Sequence, residues 1–195
     1  MRKRIWSLSV LAATALAACA LSPQVVSVRP ALETAEHRTI GEGTRLALNV
    51  VDARPSSVIG QRGGVYEKTA SIRTEGDVAP AVRRELVRAL EAVGFSIPEA
   101  GGPADAALTV EVASIVYTAR GGTFVRGVDT SATVRAEARR GSRTFTGRYR
   151  GTQTKNVMTA PGADENEALI NAAVSNVLQR LVADAELLGF LAGGG

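Results

Sequence analysis

Between Ala106 and Thr152 the chain alternates apolar with polar residues in three successive runs, and these limit the fold more than any other stretch. In the first, Ala106 to Tyr117, Leu108, Val110 and Val112 oppose Thr109 and Glu111. In the second, Asp129 to Arg139, Ala132, Val134, Ala136 and Ala138 oppose Thr133, Arg135, Glu137 and Arg139. In the third, Phe145, Gly147, Tyr149 and Gly151 oppose Thr146, Arg148, Arg150 and Thr152. A period of two places one set of side chains on a core and the other in water. A loop at Arg120-Gly121-Gly122 and a turn at Arg140-Gly141 join the runs, so an antiparallel meander follows, with one small apolar face.

Two helical stripes supply something for that face to bury. Asp77 is the expected N-cap of the first helix, with Pro80 tolerated in its first turn. Val82, Leu86, Leu90 and Val93 then recur three and four apart. Gly94 ends the helix, Phe95 folds back over it and Pro98 prevents resumption. The second helix opens at Asp164, with Glu167 three residues on in the manner of a capping box. Its stripe runs unbroken through Ile170, Val174, Val177, Leu181, Ala185 and Leu188, and Gly189 with a flexible Gly193–Gly195 tail ends the chain. Upstream, Arg45 to Asp52 reads as a strand buried on both faces. Asp52-Ala53-Arg54-Pro55 follows, then a long polar loop through Ile59-Gly60 and Gly63-Gly64 to about Gly76. Long loops of this kind are often functional, so Asp52 and Arg54 are candidate binding residues, or else an ion pair bracing the strand end. The expectation is a two-layer α+β domain: a mostly antiparallel sheet of four or five strands, with two helices packed on one face.

The first 18 residues are of another kind. Arg2, Lys3 and Arg4 precede an apolar run from Ile5 to Ala18, the layout of a secretory signal peptide. It is shorter than the roughly 20 apolar residues of a membrane-spanning helix. Leu16-Ala17-Ala18-Cys19 closes it and resembles the lipobox of bacterial lipoproteins. That resemblance implies cleavage between Ala18 and Cys19, a diacylglycerol on the Cys19 sulfur and acylation of the new amine. Ala20, in place of an aspartate, implies sorting to the periplasmic face of the outer membrane. Residues 1–18 are then signal peptide, 19–44 lipidated N-terminus and tether, and 45–192 a single periplasmic domain. A tether of that length could reach about 80 Å.

Charge and cysteine content narrow the function. Of 23 Lys+Arg and 19 Asp+Glu, the signal peptide takes three basic residues and no acidic one, leaving a formal charge of +1. That near-neutral balance disfavours nucleic acid as a partner. Cys19 is the single cysteine, so the core must hold without an internal disulfide. His37, the single histidine, stands in a polar stretch of the tether and makes no zinc site. With no Gly-x-Ser-x-Gly and no free thiol, no catalytic residue, metal or cofactor is assigned. A carboxylate pair or a Ser-Lys dyad using Lys68 or Lys155 is the residual hydrolase reading.

The Leu-Ala-Ala-Cys19 signal, the strand ending in Asp52-x-Arg54, Ile59-Gly60, Gly94-Phe95 and the step from Ala104-Asp105 into Leu108-x-Val110-x-Val112 together resemble the YajG-family lipoproteins. The resemblance implies an envelope location and an α+β plan, and no catalytic residue. Nine basic residues between Ala119 and Lys155 face only Asp129 and Glu137, whereas Asp164, Glu165, Glu167, Asp184 and Glu186 make the C-terminal helix acidic. Arg135, Arg148 and Arg150 share the sheet's polar side and are the remaining candidate binding residues, since guanidinium pairs with phosphate and carboxylate. The expected role is a non-enzymatic accessory or binding module of the envelope. Its partners would be the membrane through Cys19, and lipid head groups, peptidoglycan or an envelope protein complex. An auxiliary subunit of a lipid-transport or assembly complex is the alternative.

Overall fold

A computed structural model of the chain describes residues 22–33, 39–63, 70–121 and 124–194. Cys19, the signal peptide, His37 and Lys68 lie outside them. In order the elements are β1 (Gln24–Val26), β2 (Leu46–Asp52), β3 (Val58–Gln61), β4 (Ser71–Thr74), α1 (Ala79–Ala92), β5 (Ala106–Arg120), β6 (Gly127–Arg140), β7 (Arg143–Asn156), α2 (Ala163–Val182) and α3 (Ala185–Ala192).

The meander is present as β5, β6 and β7, paired antiparallel in register over almost their whole length. β5 is the axis of the sheet. Its other edge is shared, with β2 running parallel along Ala106–Val112 and β3 pairing at Tyr117 and Thr118. A bulge at Ala113 separates the two stretches. It shifts the parity of β5, so Leu108, Val110 and Val112 before it and Ile115 and Tyr117 after it all reach the core.

The sheet has seven strands rather than four or five, in a mixed and open order β1-β4-β3-β5-β6-β7, with β2 also on β5. The supposed loop to Gly76 contains β3 and β4. Each is four residues long, too short for a period of two to show. β2 is not buried on both faces, since Asn49 and Val51 are exposed on the outer side.

All three helices contribute to one core with the inner face of the sheet. Leu86 and Leu90 of α1, Ile170, Val177 and Leu181 of α2 and Leu187 of α3 are fully buried there with Leu46 and Leu108. The inner positions of β6 and β7 are small for a reason. A Cβ on Gly151 would lie 2.3 Å from the Ala173 carbonyl oxygen and 2.4 Å from the Val177 nitrogen, so α2 rests directly on the strand backbone.

The helix ends differ in detail from expectation. α1 starts one residue later than Asp77 implies, with Val78 at the N-cap. The Asp77 carboxylate still accepts from the Ala79 N–H at 2.8 Å. Gly94, at φ 93°, ends α1 as expected, with Phe95 N–H donating to Leu90 O. α2 begins at Ala163 after Gly162, without a side-chain cap, so the Asp164–Glu167 box does not form. The single long C-terminal helix is in fact two. Asp184 breaks it by accepting from the N–H groups of Glu186 and Leu187, which starts α3. Gly193 and Gly194 close α3, with Gly194 N–H donating to Gly189 O at 2.9 Å, and are a cap rather than a loose tail.

The largest departure concerns the tether. Residues 22–33 belong to the folded domain. After β1, which pairs parallel with β4, the chain runs extended along α2 and reaches α1. Val26, Val28, Pro30 and Leu32 point into the core. On the other parity, the N–H groups of Ser27, Arg29, Ala31 and Glu33 donate to Glu167, Asn171, Ser175 and Gln179 of α2. Leu32 is held from α1, its N–H by Glu85 and its carbonyl by Arg88.

Two glycine substitutions test this packing. Gly151→Val should cost about 3 kcal/mol, because the helix backbone above it cannot yield as a side chain would. Gly189 lies in a helix with open space where its Cβ would stand, so Gly189→Ala should stabilise by about 0.5–1 kcal/mol. Urea unfolding midpoints at constant slope measure both.

Candidate functional site

The outer face of the sheet, opposite the helices, gathers part of the basic run. Register places Glu111, Arg135 and Arg148 in one row across β5, β6 and β7, with Thr109, Glu137 and Thr146 in the next row. These six line most of a shallow depression of about 390 Å³. Within it Arg135 lies 3.6 Å from Glu111, and Arg139 is paired with Glu137. Arg150, opposite Thr133, extends the row of Arg148 along β7. Arg148 and Arg150 are exposed, and among the described residues neither meets a carboxylate.

Most of the rest of the basic run is employed elsewhere. Arg120 pairs with Asp129 at 2.9 Å, and Lys155 with Glu165 at 2.6 Å. Arg140 donates to the Leu191 carbonyl at the C-terminal end of α3, and Arg143 stacks 5.1 Å over the Phe190 ring. Lys155 is therefore paired with a carboxylate.

Asp52 and Arg54 do not join this face. They form a bidentate pair at the end of β2, with Arg54 Nε 2.7 Å and Nη2 2.6 Å from the two Asp52 oxygens. The Arg54 side chain is only 4% exposed. Its Nη1 also donates to the buried Thr74 on β4, and Asp52 accepts from the Val78 N–H at the start of α1. The pair braces β2, β4 and α1. The Arg54 hydrogen bonds hold the Asp52 carboxyl below its ordinary pKa, against the opposing effect of burial.

A second polar cluster was not visible in the sequence. Arg62, just past β3, is 7% exposed and has no carboxylate partner among the described residues. Its Nη1 donates to the Ser22 carbonyl at 2.9 Å and its Nη2 to the Pro161 carbonyl at 3.0 Å. Burial lowers its pKa. Beside it are Tyr117, whose phenol burial pushes up to about 12, and the fully buried Asn166. Rotating the Gln24 amide lets its oxygen accept from Arg62 Nε at 3.2 Å and from Ala163 N–H at 3.3 Å. Arg62 thus clamps the point at which the chain enters the domain. A lone arginine before a glycine pair carries no signal that could have revealed this.

Among the described residues no group of three or more His, Cys, Asp or Glu is placed to hold a metal, and no helix is long and apolar enough to cross a membrane.

A family model described as uncharacterized lipoprotein matches residues 30–192. Among solved structures the chain is similar to XCC0632 from Xanthomonas campestris, at 16% identity and TM-score 0.45, covering 88% of this chain and 96% of that one. It is similar to the hypothetical protein CT253 from Chlamydia trachomatis, at 13% identity and TM-score 0.44, covering 78% and 99%. It is also similar to the PelC dodecamer from Paraburkholderia phytofirmans, at 17% identity and TM-score 0.32, covering 78% and 94%. Likenesses this distant carry no argument about function or assembly. No curated protein matches the chain.

The Asp52–Arg54 pair makes a pH-dependent prediction. Asp52→Asn should cost about 3 kcal/mol at pH 7 by leaving a buried guanidinium without its counter-charge. Because the folded pKa of Asp52 is depressed, its contribution is complete above the unfolded carboxylate pKa near 4. That contribution is lost as pH falls through the folded value. The gap between wild type and Asp52→Asn in urea unfolding should therefore shrink as the pH is taken below about 4.

Proposed function

The chain belongs to a family of bacterial lipoproteins described as uncharacterized, and from that premise we propose that it is a membrane-anchored, non-enzymatic binding module of the cell envelope. Cys19, freed by cleavage after Ala18, carries the acyl chains, and the folded domain stands on the periplasmic side of the outer membrane. Within the family, the motifs from Asp52-x-Arg54 to Leu108-x-Val110 resemble the YajG group. The ligand is a phosphate- or carboxylate-bearing envelope component, taken up on the outer face of the sheet. One observation carries this reading: among the described residues, Arg148 and Arg150 stand exposed and without counter-charges on a face that no helix covers. A guanidinium in that setting is free to make the paired hydrogen bonds that recognise such anions.

A second reading, an auxiliary subunit of a lipid-transport or assembly complex, draws support from β7. Its 14 residues form an outer edge with no strand beyond them among the described residues, a ready template for a partner's strand.

Replacing Arg148 and Arg150 by glutamate should leave stability within about 0.5 kcal/mol, since both are surface positions. It should weaken binding to the anionic component about 100-fold, from two charge-assisted contacts of about 1.5 kcal/mol each. Photo-crosslinking in intact cells from positions 135, 148 and 150 reads out the ligand. A dominant protein adduct favours the subunit reading, whereas adducts to glycan or lipid favour the binding module.

A further inference from the structure

The end of the sheet from which the chain emerges carries two large apolar side chains that nothing covers. Phe124, in the turn between β5 and β6, is 75% exposed, and Met158, just past β7, is fully exposed. The two segments lie side by side, because Gly127 opposes Asn156 and the Val157 N–H donates to the Arg126 carbonyl at 3.1 Å. The same end holds Arg62, whose guanidinium ties the Ser22 carbonyl to the Pro161 carbonyl, three residues beyond Met158.

Ser22 is three residues from Cys19, so the reach between them is at most about 10 Å. The domain therefore has no long tether with which to stand away from its anchor. Among the large apolar residues described, those most exposed are the two found at this end. Arg126, exposed between them in sequence, has no carboxylate partner among the described residues, while the neighbouring Arg120 and Lys155 are already paired with Asp129 and Glu165. Side chains of this character, placed beside an acyl chain, meet the boundary between head groups and hydrocarbon.

We propose that this end is a membrane-docking surface: Phe124 and Met158 insert into the leaflet that holds the acylated Cys19, Arg126 contacts a lipid phosphate, and the strands of β5–β7 stand away from the bilayer. The proposal rests on the reading of Cys19 as the lipid anchor.

The single tryptophan of the chain, Trp6, precedes Cys19, so one can be introduced as a reporter. Phe124→Trp, Met158→Trp and, as a control in the β6–β7 turn at the opposite end, Ser142→Trp are made in the chain from Cys19 onward. Each is coupled through its only thiol, Cys19, to a maleimide phospholipid. The vesicles are of phosphatidylethanolamine and phosphatidylglycerol with brominated tails. Emission from positions 124 and 158 should be blue-shifted and mostly quenched, while emission from 142 stays that of a tryptophan in water. Equal, water-like emission from all three positions overturns the proposal. So does a blue shift at 124 and 158 that grows with protein concentration in the absence of vesicles, since a second copy of the chain then covers the patch. Because the coupling is chemical, this result is independent of acylation in cells, which the mass of the Cys19 peptide from native membranes decides separately.

Discussion

Four hydrogen bonds between a strap of extended backbone and one stripe of α2 hold the two layers of this domain to its entrance. Alternate N–H groups, at Ser27, Arg29, Ala31 and Glu33, meet side chains four apart on the helix, at Glu167, Asn171, Ser175 and Gln179. The match is geometric. Two extended residues advance about 6.6 Å and four helical residues about 6.0 Å, so the two ladders stay in step for about three turns. Pro30 fits the strap because it falls on the parity whose N–H groups do not meet α2. The other parity inserts Val28 and Leu32 between the helices, and α1 closes over Leu32 through Glu85 and Arg88. Each such bond contributes about 1 kcal/mol net. Their larger effect is to give a segment without regular structure a single place to lie.

The strap was hidden in the sequence because its punctuation is that of a linker. Pro23, Pro30 and Gly41 interrupt it, and its hydrogen-bond partners lie about 140 residues away. The meander was legible because three successive runs of period-two alternation leave no other reading, although the bulge at Ala113 cannot be seen until the parity on either side is compared. β3 and β4 were not legible. Gly60 has its Cβ position 2.0 Å from the Tyr117 carbonyl oxygen, so the residue that lets β3 approach β5 is the one that reads as a loop. The split of the C-terminal helix at Asp184 follows from chemistry the apolar stripe does not register. That carboxylate caps α3 and accepts the Tyr149 hydroxyl, whose pKa burial and Asp184 together raise.

The same contrast holds for the candidate sites. Arg135, Arg148 and Arg150 were assigned to one face from a period of two, and the strand register puts them there. Asp52 and Arg54 were legible as a pair, but only the buried Thr74 and the start of α1 show what the pair braces. Sequence counting also overstated the basic surface, because it could not see arginines turning to a helix C-terminus or an aromatic ring. Phe124 and Met158 carry no signal at all in a sequence, where an exposed apolar residue and a buried one look alike.

The position of the arginines along β7 bears on what they can bind. Measured from Asn156, at the end where the chain enters, Arg150 and Arg148 lie six and eight residues up the strand, about 20 and 27 Å at about 3.3 Å per residue. With Cys19 acylated, as proposed, and the covalent reach to Ser22 no more than about 10 Å, an upright domain holds those guanidinium groups well above the phosphates of its own leaflet. The separation exceeds two Debye lengths at physiological ionic strength, about 8 Å each. Head groups of the anchoring membrane then lie beyond their electrostatic range. A carboxylate on a peptidoglycan stem or an acidic protein segment approaching from the periplasm would not. A domain so close to its anchor gives up reach, and the unpaired arginines gain in exchange a fixed height and direction from which to meet a partner.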